Sequence, residues 1–114
     1  MITIDALREF GADVEEGLTR CMNNESFYLM LVGKAIDDKR LEQLEEQLDA
    51  KNLDAAFESA HALKGMYANL SLNPLSKPIC EMTELLRNRT DTDYTNLLAE
   101  TKTQFEKLKL LKNQ

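Results

Sequence analysis

The chain has 114 residues, 43% hydrophobic and 30% charged, with four glycines, two prolines and seven aromatic residues. That length fits one domain spanning residues 1–114, large enough to bury a core without a disulfide or metal staple. A net charge of −6 repels nucleic acid and anionic membranes, so neither is an expected partner. Cys21 and Cys80 stand far apart with no CxxC and no second histidine, which argues against zinc and for free thiols in a reducing compartment. No apolar run reaches membrane-span length, and the N-terminus lacks a basic-then-apolar signal segment, so a cytoplasmic protein is expected.

Few Gly and Pro and an abundance of Leu, Glu, Lys and Ala favour helix, and the spacing predicts five or six helices joined by short turns. Thr3 caps a short first helix through Phe10, which Gly11 ends. Asp13 caps a second with Val14, Leu18 and Cys21 inward, and Asn23-Asn24 interrupt it. From Glu25 the stripe Phe27, Met30, Leu31 and Ala35 predicts an inner face, continuing with a kink near Asp37-Asp38 into Leu41, Leu44 and Leu48.

Ala50-Lys51-Asn52 is a connector, and Asn52 caps a helix from Leu53 to about Leu70. Asn73-Pro74 opens the next, with Pro78 still in the first turn or so and Ile79, Met82, Leu85 and Leu86 inward. After a loop from Asn88 to Thr92, Thr92 or Asp93 caps a last helix with Leu97, Leu98, Phe105, Leu108 and Leu111. The methionines Met22, Met30, Met66 and Met82 read as core filling, and the three tyrosines as packing or interface residues. Asp37 to Glu58 is strongly acidic, while Lys102 to Lys112 is mildly basic and reads as a solvated helix face. Short connections between long helices make an all-α fold, an antiparallel up-down four-helix bundle with one or two short additional N-terminal helices.

The helix from Leu53 to Leu70 carries the chemistry. On a helical wheel Ala56, Ser59, Ala60, Leu63, Met66, Tyr67 and Leu70 form the core face, while His61, Lys64, Gly65 and Ala68 form an outward strip. A glycine inside a helix costs about 1 kcal/mol relative to alanine. On the solvent side, packing within the bundle does not account for it; close approach of another surface is one explanation. An imidazole is mostly neutral at neutral pH and is then a nucleophile toward phosphorus. Lys64, three residues on, would offset part of the charge of a phosphorylated ring, an exposed pairing worth about 1 kcal/mol or less.

The run Ala60-His61-Ala62-Leu63-Lys64-Gly65, extended through Ala68-Asn69-Leu70, resembles the signature of histidine-containing phosphotransfer (HPt) domains. Phe57 fits the same pattern, as do the lead-in Gly11 to Leu18, the start Glu25-Ser26-Phe27 and the helix after Pro74. The resemblance implies that His61 accepts a phosphoryl group from a receiver-domain aspartate and passes it to another receiver. It implies that Lys64 tunes the phosphate, that Gly65 admits the docked receiver, and that Phe57 and Ala68 contact the partner. Mg²⁺ would come with the receiver, and this chain would need no cofactor or metal of its own. A hybrid sensor histidine kinase is a further expected partner.

Met66 and Tyr67 depart from the small residues usual after the glycine, and Ser71 stands where glycine is common, which leaves the end of that helix open. No Walker, G-x-G-x-x-G, G-x-S-x-G or metal-helix motif is present, so a phosphoryl carrier is expected rather than a stand-alone kinase. The alternative is a bundle that binds receivers or other signalling proteins without chemistry. Nothing resembles an added dimerisation helix, so a monomer is expected; Met1 and a full bundle read as a free-standing protein, with an excised kinase domain as the other possibility.

Overall fold

A computed structural model describes residues 2–112, and among these the fold is all-helical. Seven helices follow one another: α1 (Ile4–Phe10), α2 (Val14–Arg20), α3 (Glu25–Asp37), α4 (Arg40–Asp49), α5 (Leu53–Asn69), α6 (Asn73–Arg87) and α7 (Thr95–Leu111). The count exceeds the expected five or six because α3 and α4 are separate. Asp38 is extended, and its carboxylate accepts the Arg40 N–H at 2.8 Å, so a new helix starts where a kink is predicted.

Most expected starts are made by the caps that predict them. Thr3, Asp13 and Asn52 accept backbone N–H bonds from Ala6, Glu16 and Ala55. Gly11 ends α1 in the left-handed region at φ +114°, where a Cβ is unfavourable. Asn24 caps α3 through the Phe27 N–H. Asp93 accepts the Thr95 N–H at 2.9 Å at the start of α7, and hydrogen bonding from the Thr95 side chain, then from its backbone, holds the carboxyl below the usual range. Pro78 lies in the second turn of α6 rather than the first, and the helix continues through it.

The three longest helices and α4 pack serially: α4 on α5, α5 on α6, α6 on α7, with α1 and α3 also touching α7. Lys64, Phe57 and Asp54 meet Glu84, Arg87 and Arg89 in turn, so residue numbers fall along α5 as they rise along α6 and beyond it. The two helices are therefore antiparallel. Ser59 donates to Gln47 at 2.7 Å and ties α5 to α4. The core centres on Leu7, Tyr28, Val32, Leu44, Leu63, Tyr67, Leu75, Ile79, Met82, Leu86 and Leu108. All three tyrosines are buried, so they serve packing.

The inner face of α3 differs from the expected stripe. Tyr28, Val32, Ala35 and Ile36 are buried, whereas Phe27 and Met30 are exposed and Leu31 is half-buried. Residues 27–32 are an unbroken apolar run, so periodicity does not select a face. Tyr28 selects it: its ring fills the space left by the missing side chain of Gly17, and its hydroxyl donates to the Leu70 carbonyl at 2.8 Å. Met22 is likewise not core filling. It sits in the turn after α2 with φ +58° and is 90% exposed, whereas Met82 is fully buried and Met66 half-buried.

The basic end of the chain is more than a solvated face. Lys102 pairs with Glu45 and Lys112 with Asp37, each at 2.8 Å, laying α7 against the acidic stretch of α3 and α4. Lys112 holds the Asp37 carboxyl below its ordinary value, and Glu45 raises the Lys102 ammonium. Among the described residues no helix is long and apolar enough to cross a membrane. Both cysteines are free, Cys21 buried and Cys80 half-buried.

Candidate functional site

The site is the outer face of α5. Its inner face is anchored by buried Ala56, Ser59, Ala60, Leu63 and Tyr67, as the wheel predicts, with Met66 only half-buried. That anchoring fixes the rotation of the helix and turns His61, Gly65 and Ala68 to solvent. Lys64 is on the same strip but half-buried, because it leans toward α6, where its ammonium lies 3.6 Å from a Glu84 carboxylate oxygen.

Phe57, one turn before His61, is half-buried against the core, and its ring stacks on the imidazole with centroids 5.6 Å apart and planes 25° from parallel. It thus supports the histidine from below. Two guanidinium groups also lie over the Phe57 ring: Arg87 at 5.2 Å and Arg89 at 4.9 Å from its centroid. Cation–π contacts of this kind contribute about 0.5–1 kcal/mol at exposed sites. Arg89 adopts φ +50° just past α6, donates to the Leu86 carbonyl at 2.8 Å and pairs with Asp54 at the start of α5. Arg87 is 3.4 Å from the second oxygen of Glu84.

Two cations, Arg87 and Arg89, therefore lie over the ring that stacks on His61, a third, Lys64, stands on the same outward strip, and each is opposed by a resident carboxylate. Sequence reasoning finds Lys64 and misses both arginines, Glu84 and Asp54. The available signal is Arg87-Asn88-Arg89 at the end of a helix antiparallel to α5, which returns those side chains to the level of Phe57.

Gly65 lies one turn beyond His61, and a Cβ built on it meets nothing within 4 Å. Ala68 continues this low strip. At its far end Ser71 resolves the question left by the absence of glycine. It takes the left-handed conformation, φ +55°, and is buried. Its hydroxyl donates to Glu16 at 3.0 Å and accepts from Arg20 at 2.9 Å, while its carbonyl accepts the Asp13 N–H. These bonds offset a backbone conformation that costs about 1–2 kcal/mol in a non-glycine residue. They close α5 at Asn69 and bind α2 to its end.

Among the described residues no group of three His, Cys, Asp or Glu side chains could hold a metal ion. The arrangement offers an exposed imidazole, cations about the ring beneath it and clear backbone one turn away. No curated protein and no solved structure matches the chain significantly. A family model described as the Hpt domain matches residues 37–111, from the end of α3 through α7. The match covers well over half of the sequence, and the chain belongs to the Hpt domain family, the histidine-containing phosphotransfer domains of phosphorelays.

Proposed function

We propose that the chain is a phosphoryl carrier in a phosphorelay, loaded at His61 by a receiver-domain aspartyl phosphate and unloaded onto another receiver. The observation that carries this reading is the exposed His61 ring, stacked on Phe57, with clear backbone at Gly65 one turn away. The unprotonated ring nitrogen attacks phosphorus. An N–P bond forms as the aspartyl O–P bond breaks, and the bonding pair leaves with the carboxylate. The ring proton stays on the other nitrogen. Mg²⁺ and the groups that polarise the phosphoryl oxygens belong to the receiver, and this chain contributes the nucleophile and the cations near it. In this reading Lys64 offsets charge on the phosphorylated ring, while Gly65 and Ala68 let the receiver close onto α5. Phe57 reaches the partner chiefly through the ring it supports. The chain acts as a single cytoplasmic, monomeric domain, an up-down bundle of four long helical segments with α1 and α2 added, and a hybrid sensor kinase is an upstream partner.

The test is incubation with a purified receiver domain phosphorylated by acetyl phosphate, followed by detection of acid-labile phosphate. Transfer to the wild type and none to a folded His61→Gln variant is expected. Receiver binding without transfer, across a panel of receivers, would favour a purely binding module instead.

A further inference from the structure

Glu84 is shared. One carboxylate oxygen lies 3.6 Å from the Lys64 ammonium and the other 3.4 Å from Arg87 Nε. The two cations are not held alike. Arg87 also rests on the Phe57 face, and Arg89 is fixed by Asp54, Phe57 and the Leu86 carbonyl. For Lys64, Glu84 is the ion-pair partner among the described residues, on a flexible stem and with both side chains partly in solvent, 34% and 57% exposed. Such a pair separates at little cost. Lys64 is thus the cation free to change partners, and Glu84 is what it would leave.

Resting on the reading of His61 as the phosphoryl carrier, we propose that Glu84 is a positioning residue that competes with the phosphoryl group for Lys64. It keeps the ammonium over α6 while the ring is bare and lowers the equilibrium occupancy of phospho-His61. The histidine is then held as a donor that gives up its phosphoryl group readily, rather than as a sink. The same carboxylate also spares the bare ring an adjacent uncompensated cation.

Potassium phosphoramidate tests this without a partner protein. The ring nitrogen bonds to phosphorus as the P–N bond of phosphoramidate breaks, and ammonia departs with the bonding pair. At fixed phosphoramidate and ammonia concentrations, the phosphorylated fraction of His61 is compared by phosphorus NMR for wild type, Glu84→Gln, Lys64→Met and the double variant. Circular dichroism confirms each fold. Glu84→Gln is expected to raise the equilibrium constant for loading about two- to fivefold, the range of a surface ion pair. Lys64→Met should lower it, and in that background Glu84→Gln should have no effect. Added salt should shrink the Glu84 effect, since exposed charges are screened. Loading equal in wild type and Glu84→Gln, or the same increase without Lys64, overturns the role of Glu84 alone. No phosphate on wild-type His61 from phosphoramidate or from a phosphorylated receiver overturns the carrier reading, and this proposal with it.

Discussion

Gly17 in α2 and Gly65 in α5 are both helical glycines, and the structure separates them completely. A Cβ on Gly17 would lie 2.6 Å from the Tyr28 ring, closer than side chains tolerate. A Cβ on Gly65 would meet nothing within 4 Å. The first glycine answers an internal demand, the seating of α3 on α2. The second has no internal cause and carries the helix penalty of about 1 kcal/mol without structural return. On the proposed reading, what Gly65 answers is the approach of a receiver domain. Gly33 also faces open space, on α3, but with no nucleophile beside it, so open space alone does not define a site.

Substitutions can break this contrast. The largest effect is expected from Gly65→Arg, which should reduce phosphoryl transfer from a receiver by roughly a hundredfold, since misplacing reacting atoms by about 1 Å costs that much. Its melting temperature should not fall and should rise by a few degrees as the glycine helix penalty is removed, and normal transfer rates would remove the close-approach argument. Gly17→Ala should reverse the pattern. Overpacking against Tyr28 should cost about 1–3 kcal/mol in chemical denaturation, with transfer by the folded fraction unchanged. A variant as stable as the wild type would show that Tyr28 moves aside freely.

The Tyr28 side of the comparison also has a pH signature. Burial pushes its phenol up to about 12, and that of Tyr67 higher still. The folded state therefore keeps these protons where the unfolded chain, near pH 10, begins to lose them. Stability should be intact below about pH 10 and decline as pH rises toward 12. Thermal melts between pH 8 and 12 should show the decline, and Tyr28→Phe should flatten part of it. The smallest effect is Gly65→Ala, which should stabilise the protein by about 0.5–1 kcal/mol, because alanine removes the helix penalty and clashes with nothing. A loss of stability would mean that Gly65 has an internal role.

Much of the fold is legible from local chemistry. Thr3, Asp13 and Asn52 predict helix starts because their side-chain oxygens replace missing backbone acceptors within three residues. The outward strip of α5 is equally local, since its core face is marked by a clear helical period. The inner face of α3 is not, because six consecutive apolar residues satisfy any rotation. Only the notch at Gly17 and the Leu70 carbonyl orient Tyr28 and leave Phe27 and Met30 in solvent. The break at Asp38 is legible in principle, since an aspartate two residues before Arg40 is a capping signal, but the continuing leucine pattern masks it.

Most of the helices, several of their caps and the order His61, Lys64, Gly65 along one face follow from local chemistry, because hydrogen bonds and periodicity act over a few residues. The charged groups that gather on Phe57 and Lys64 follow from the packing of α6 on α5. Arg87 and Arg89 reach Phe57, and Glu84 reaches Lys64, only because α6 runs antiparallel to α5. Electrostatic partners are chosen by distance in space, and a one-dimensional pattern carries that distance only after the core has packed.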